Sequence, residues 1–313
     1  MALSVTLPRK PADLRSAGHH PRTLDVLNGQ QTAVQRQLRR SGLAGYEPLT
    51  QATLLALAHR APSGTAVYDV GANIGLYAAL IDALTGNEGP SVYAFEPTPE
   101  VAETARRLRE VNGLHYRVVE SAVADTTGTA TLHRSLKSES SNSLNPAHRD
   151  YRESVRVPVT TLDLFTAEHG LTPHLVKIDV ETYEAQVLDG ALRTIREARP
   201  WIVCELLPKA DHTALRSTLA TVLALGYHLY QIEPGTPWLP SSAEEYREFV
   251  GHPCRDWLLA PRKLTPPWYR DMRQWLIAVL ACDERTNLTS ATEPLPAFDG
   301  FPRTGPAGPS STA

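Results

Sequence analysis

The residues able to do chemistry in this chain stand at the ends of apolar runs. Asp69 lies in Val67-Tyr68-Asp69-Val70 and is followed by Gly71, Asn73 and Gly75 in the pattern D-x-G-x-N-x-G. Glu96 closes Ser91–Phe95 and precedes Pro97. Lys177, Asp179 and Glu181 punctuate Leu175–Val180, and Glu205 follows Trp201–Cys204. A strand, a glycine turn and a helix form a unit that holds a nucleotide-like ligand at the helix N-terminus. A dinucleotide fingerprint needs G-x-G-x-x-G. Here Asn73 and Leu76 occupy its second and third glycine positions. An acid just before the turn repels a pyrophosphate and suits an ammonium group. S-adenosylmethionine carries an ammonium and no phosphate. Taken alone, the stretch also reads as an ordinary strand-to-helix turn with incidental glycines.

Glu96 lies about 20 residues past the glycine turn, where an acid accepts hydrogen bonds from ribose hydroxyls. A helix-capping glutamate before Pro97 is the alternative. Strand alternation puts Lys177, Asp179 and Glu181 on one side and Ile178 and Val180 on the other. Three charges on one side of a central strand are costly to bury unless they pair or bind something. A Lys177–Asp179 ion pair is one solution. The other places Asp179 at the carboxyl edge of the sheet, where open α/β sheets bind ligands. Asp179 and Glu205 are then candidate bases, Lys177 keeps Asp179 ionised, and Glu181 holds the cofactor or the substrate. His148 and His212 are secondary base candidates, and His19-His20 reads as a solvated surface pair.

The elements that position these residues follow from the pattern. Strands are predicted at 67–70, 91–95, 115–120, 175–180, 200–206, 227–232 and 256–259. They alternate with helices over 76–84, 99–112, 161–169, 183–198 and 212–225. That alternation predicts a mostly parallel seven-stranded sheet with helices on both faces and the last strand antiparallel. Helical patterns over 23–37 and 49–59 form an N-terminal helical extension, residues 1–60, whose proline- and arginine-rich start to about 22 reads as poorly ordered. Residues 61–262 form the main domain. Its insertion, 126–160, is a hairpin of strands 129–134 and 155–159 around a serine-rich segment, either a functional cover or a mobile loop. Residues 233–253 read as a substrate-side flap with Trp238, Tyr246 and Phe249. A helix over 272–282 and a disordered tail complete 263–313.

Asp69-Val70-Gly71-Ala72-Asn73-Ile74-Gly75, Ala94-Phe95-Glu96-Pro97 and Val176-Lys177-Ile178-Asp179-Val180-Glu181, in this order, resemble the FkbM family of S-adenosylmethionine-dependent methyltransferases over roughly residues 66–206. The family usually has glycine after the last glutamate, and this chain has Thr182. The resemblance implies a Rossmann-like class I methyltransferase fold. It implies that Asp69, Gly71, Asn73, Gly75, Glu96, Pro97 and Glu181 serve the cofactor. Ser121–Asp125, with Ala122 and Val123, resembles the segment along the adenine ring, and Asn142 and Ser143 fall in a segment on the substrate side. It further implies O-methylation of a small hydroxylated acceptor: a sugar, nucleoside or other metabolite of secondary or antibiotic biosynthesis. Catechol-type enzymes hold Mg²⁺ with acids at corresponding strand ends. Asp179 plus Glu205 supplies only two such ligands, so magnesium is the minority reading.

Composition narrows the field. The 313 residues carry 31 Lys+Arg against 34 Asp+Glu, a net charge of −3, so no basic footprint argues for nucleic acid. No apolar run reaches membrane-spanning length. The N-terminus lacks the pattern of a signal peptide. Cys204, Cys254 and Cys282 are too widely spaced for a metal motif, and a reducing cytoplasm suits them. The chain is expected to act on a small molecule without nucleic acid or membrane, with a homodimer left open. Two other functions compete. A nicotinamide-dependent oxidoreductase is disfavoured by the missing glycines. A scaffold that binds the cofactor without turnover is the non-enzymatic alternative.

Overall fold

The computed structural model describes residues 3–9, 23–27, 32–135, 142–146, 151–207, 210–234, 237–242 and 255–282. The N-terminal part contains β1 (Ser4–Thr6), β2 (Thr23–Asp25), α1 (Ala33–Ser41) and α2 (Pro48–Ala58), with a 3₁₀ turn at Leu43–Gly45. There follow β3 (Ala66–Val70), α3 (Leu76–Thr85), β4 (Ser91–Phe95), α4 (Pro99–Val111), β5 (Arg117–Val119) and β6 (Ala122–Val123). Next come β7 (Gly128–Ser135), β8 (Tyr151–Thr160), α5 (Leu162–His169), β9 (Pro173–Ile178), α6 (Glu184–Asp189), α7 (Leu192–Ala198) and β10 (Trp201–Glu205). The last elements are α8 (His212–Ala224), β11 (His228–Ile232), β12 (Leu239–Ser241), β13 (Asp256–Ala260) and α9 (Pro266–Leu280).

The central sheet runs β12-β11-β13-β10-β9-β3-β4-β5. β10, β9, β3, β4 and β5 are mutually parallel, and β13 is antiparallel between β10 and β11. All seven strands expected from the sequence lie in this sheet, with the last antiparallel. β12 adds an eighth, short edge strand beside β11. β3 is buried along its whole length, as a central parallel strand must be. Val67 faces one core with α1–α4 and α9, while Tyr68 and Val70 face another with α5–α8. The insertion pairs as expected: β7 and β8 are antiparallel, and β6 joins β8 to give a separate three-stranded sheet.

Several local expectations need correction. Thr23–Asp25 is a strand paired with Ser4–Thr6, not the start of a helix. So part of the segment read as poorly ordered is sheet, and the extension is not wholly helical. The helix there starts at Ala33 because Thr32 and Gln35 form a capping box; the Thr32 hydroxyl accepts from the Gln35 N–H at 3.1 Å and Gln35 Oε1 accepts from the Thr32 N–H at 3.0 Å. The single helix expected over 183–198 is two, α6 and α7. Gly190 separates them, and a Cβ there would stand 2.0 Å from the Ala124 carbonyl oxygen. Trp238, placed in a flap by the sequence, is buried and donates from Nε1 to the Thr53 hydroxyl at 2.8 Å. His19-His20, His148, Tyr246, Phe249, Cys254 and the tail beyond 282 lie outside the described residues.

Ten of the eleven residues of α2, Leu49 to Ala58, are buried, and the helix lies against β9 and β10 with α9 on it. Each fully buried leucine contributes about 1.5–3 kcal/mol, so Leu54, Leu55 and Leu57 make this segment a working part of the core. Cys204 and Cys282 are free and buried. No helix among the described residues is long and apolar enough to cross a membrane.

Candidate functional site

The glycine turn is shaped by its neighbour. The Asp179 N–H donates to the Val70 carbonyl at 3.0 Å, which extends the β3–β9 ladder past Ile178. Gly71 then crosses Asp179 with φ +78°, and a Cβ at 71 would lie 1.8 Å from the Asp179 carbonyl oxygen. Only glycine fits. Asn73 follows with φ +51°, a conformation asparagine tolerates. Its N–H donates to Glu96 Oε2 at 3.0 Å, and the Thr98 N–H donates to Glu96 Oε1 at 2.8 Å. Glu96 therefore braces the chain entering α4, and with donors from the Asn73 N–H and from the Thr98 N–H and hydroxyl it keeps acceptor capacity for a further hydroxyl. Burial pushes its pKa up to about 7 despite the donors on Thr98 and Asn73.

These groups open on a solvent-connected cavity at the carboxyl edge of the sheet. Gly71, Asn73, Glu96 and Pro97 line its β3–β4 side, Ala122 and Val123 its floor on β6, and Asp179 and Glu181 its β9 side. Asn142 and Ser143 enter from the insertion. Gly75, Asp69, Lys177 and Glu205 do not line it.

Asp69 is 1% exposed and sits behind the turn. Its Oδ2 accepts the Ala78 N–H of α3 at 3.2 Å, and its Oδ1 is 3.7 Å from Lys177 Nζ. In this structure Asp69 fixes the helix and the lysine, and its expected role toward a ligand ammonium stays a proposal. Burial raises its pKa, opposed chiefly by the lysine charge. Lys177 donates to Asp179 Oδ2 at 3.0 Å and lies 5.0 Å from the centre of the Tyr77 ring. Burial disfavours its charge, but Asp179, Asp69 and Glu47 outweigh burial and lift its pKa. It stays an ammonium and cannot serve as a base, so its place is in positioning.

Asp179 is the charged end of this chain, with its side chain 29% exposed. Burial raises its pKa, yet the charge of Lys177 and hydrogen bonds from Glu205 and Lys177 carry it below the usual range. Glu205 goes the other way, well upward, from burial and from the Asp179 charge. The two carboxyls are thus driven apart, Asp179 toward its ionised form and Glu205 toward its protonated one. Glu205 thus reaches the cavity through Asp179. Among the described residues no three His, Cys, Asp or Glu side chains are placed to hold a metal ion.

Strand alternation ends at Asp179. Glu181 and Thr182 both have left-handed backbones, φ +54° and +79°, so Glu181 reaches the cavity by a turn rather than by sharing a strand face. The turn is capped by Glu184, whose Oε1 accepts the Thr182 N–H at 2.9 Å. It also anchors the insertion. The Ser143 hydroxyl donates to the Glu181 carbonyl at 2.6 Å, and Asn145 Nδ2 to the Thr182 hydroxyl at 2.9 Å. Asn142 accepts from the Ser135 N–H at 3.0 Å and donates to the Thr98 hydroxyl at 3.3 Å. Asn142 and Ser143, expected to bind substrate, use these groups to strap the insertion over the cavity. Their described neighbour Leu144 lines it too, while Ser140 and Ser141 lie outside the described residues. A β-branched residue at φ +79° is strained by about 1–3 kcal/mol. Thr182→Gly should therefore leave stability within about 1 kcal/mol of the parent in urea unfolding, because relief of strain offsets the lost hydrogen bond of about 0.5–1.5 kcal/mol and the flexibility of glycine. A larger loss would show that the anchor outweighs the strain.

Tyr46, Thr98 and Tyr183 also line the cavity and were not foreseen. Glu47 and Asp256 lie close behind Asp179 and were missed as well. Thr98-Pro99 carries a helix-start signal that marks Thr98, and Glu47-Pro48 marks a helix start in the same way. Nothing in the local sequence marks Tyr46, because only the fold brings the N-terminal segment to this edge.

Residues 69–229 match the model of the methyltransferase FkbM domain. A search of curated proteins finds no match. Among solved structures, the methyltransferase FkbM from Methylobacillus flagellatus KT is similar at 17% identity over 64% of this chain and 44% of that one, with a TM-score of 0.41. This chain thus spans less than half the length of that protein. The precorrin-6y C5,15-methyltransferase from Geobacter metallireducens GS-15 is similar at 14% identity over 67% and 86% of the two chains, TM-score 0.36. TomG from Streptomyces achromogenes, an O-methyltransferase of tomaymycin synthesis solved with S-adenosylmethionine, is similar at 11% identity over 67% and 78%, TM-score 0.36. At such scores the assignment rests on the sequence match, which covers about half of the chain and includes the glycine turn, Glu96, Asp179 and Glu205. The chain belongs to the FkbM family of S-adenosylmethionine-dependent methyltransferases.

Proposed function

We propose that the protein is an O-methyltransferase, transferring methyl to a hydroxyl of a small sugar, nucleoside or other secondary metabolite. The observation that carries this reading is Asp179, held by Lys177 at 3.0 Å and lining the same cavity as Glu96. The residues present fit the cofactor. Glu96 offers lone pairs to ribose hydroxyls, the turn at Gly71–Asn73 leaves room beside it, and Glu181 and Asp179 supply negative charge for a cationic end. When bound, S-adenosylmethionine supplies a methyl group on a good leaving thioether. The protein has then to hold the acceptor oxygen in line and take its proton. Asp179 is the group for that proton: ionised, partly exposed and fixed by Lys177. Glu205 steadies the ionised Asp179 by donating to it. The acceptor class rests on the family resemblance.

Glu96 provides the test. In the ligand-free protein its carboxyl titrates at about 7, and ribose hydroxyls donate to the ionised form. Affinity for S-adenosylmethionine should then rise with pH and level off above neutrality, by about tenfold between pH 6 and pH 8 for a single linked proton. Glu96→Gln should weaken binding by roughly 1.5–3 kcal/mol, the scale of a hydrogen bond to a charged group, and flatten the pH profile. Isothermal titration reads both. A profile equally steep in Glu96→Gln would remove Glu96 from the ribose site. Tight binding without turnover on any hydroxylated acceptor would favour the scaffold reading.

A further inference from the structure

The cavity has a wall that the family domain does not provide. Tyr46 precedes the matched residues 69–229, yet lines the same cavity as Asp179 and Gly71. The fold holds it there against strain. Glu47 is the N-cap of α2 in a left-handed conformation, φ 45° and ψ 54°. Gln51, one turn into that helix, donates from Nε2 to the carbonyls of Leu43, at 2.8 Å, and of Tyr46. The Tyr77 hydroxyl donates to the Glu47 carboxyl, and the Tyr46 and Tyr77 rings stand 6.4 Å apart at 42°. The Tyr77 bond to the strained Glu47 and the Gln51 bonds to the Leu43 and Tyr46 carbonyls together fix the position of Tyr46.

The largest charge effects on Tyr46 come from carboxyls. Burial, with Glu47, Asp179 and Asp69 within electrostatic range of its phenol, raises its pKa, so the ring stays neutral. Lys177 is committed to Asp179 and Asp69. An aromatic side chain backed by carboxyls is a setting for a cation rather than for a neutral or anionic group. In a methyltransferase cavity, donor and product differ in this respect: the donor is a sulfonium, the product a neutral thioether.

We propose that Tyr46, brought into the cavity by the N-terminal segment, discriminates donor from product by favouring the sulfonium of S-adenosylmethionine over the thioether of S-adenosylhomocysteine. This rests on the reading that the cavity binds that cofactor. Once methyl has left, the ring loses its cationic partner, and product release is eased.

The full-length protein can be titrated calorimetrically with each of the two compounds. Tyr46→Ala should weaken S-adenosylmethionine binding about five- to tenfold, the size of a partly desolvated cation–π contact, while S-adenosylhomocysteine binding shifts far less. Tyr46→Phe keeps the ring and should retain both affinities. Tyr46→Leu, which fills more of the space, replaces the alanine variant if that one fails to give a cooperative melt. An equal loss for both compounds, no loss for either, or a loss in Tyr46→Phe matching that in Tyr46→Ala would overturn the proposal. If the parent protein binds neither compound, the reading of the cavity itself fails.

Discussion

Asp179→Asn should cut turnover by roughly 10²–10⁴-fold, the usual contribution of a positioned base. The substitution keeps the size of the side chain and removes a carboxylate that lines the cavity and is held toward its ionised form by Lys177. The assay follows release of S-adenosylhomocysteine with any acceptor the parent protein methylates, at saturating donor. Raising pH should restore part of the lost rate, because more acceptor alkoxide then forms unaided. Binding of the donor, measured separately, should survive, since Glu96, Gly71 and Asn73 are untouched. The variant will also be less stable, because Lys177 keeps only Asp69, at 3.7 Å. Rates therefore need to be expressed per folded molecule. Glu205→Gln is the informative companion. It still donates to Asp179, so its loss should be smaller. Near-normal turnover in Asp179→Asn would make the aspartate structural, and a larger loss in Glu205→Gln would transfer the role to Glu205.

Lys177→Met should destabilise the fold by about 3–5 kcal/mol, the cost of breaking a buried ion pair from one side. Asp69 is 1% exposed and would keep the Ala78 N–H while losing its nearby cation. At roughly 2–4 °C per kcal/mol for chains of about this size, the melting temperature should fall by about 10 °C. The pH dependence has a definite sign. Without the lysine the folded-state pKa of Asp69, already raised, climbs further above its unfolded value. Such a carboxyl costs stability once the pH exceeds the unfolded pKa, and the cost grows until the folded pKa is reached. The deficit should therefore be smaller at pH 5 than at pH 8. Adding Asp69→Asn to Lys177→Met removes the stranded charge and should recover part of the loss, which a double-mutant cycle in urea reads directly. If the double variant is as unstable as the sum of the two singles, the two residues do not act as a pair.

The sequence carried the order of the elements. Continuous apolar runs such as Val67–Val70 and Leu175–Ile178 are what a buried parallel strand requires, and the glycines and prolines between them mark where each ends. It misled where a short apolar stretch has no period of its own. Thr23–Leu27 is too short to separate strand from helix, and its pairing with Ser4–Thr6 spans a segment that local pattern cannot bridge. Tyr183–Ala198 has helical spacing throughout, yet it is cut at Gly190 by the Ala124 carbonyl, whose approach no local pattern announces.

For the site, the residue types and spacing determined which side chains reach the carboxyl edge of the sheet: Gly71, Asn73, Glu96, Asp179 and Glu205 are where strand ends and a glycine turn must put them. Only the tertiary structure decided how their charges divide. Lys177 makes the ion pair that the sequence offered as an alternative, holding Asp179 toward its ionised form and lying 3.7 Å from Asp69. Glu96 both braces the chain entering α4 and faces the cavity, so two readings that compete in sequence coexist in space. Burial and the Asp179 charge push the Glu205 carboxyl toward its protonated form, and Tyr46 reaches the cavity because α2 packs against β9 and β10. The physical reason is common to all of these. Secondary structure is periodic and legible over a few residues, whereas protonation, pairing and enclosure depend on distances between residues far apart in the chain.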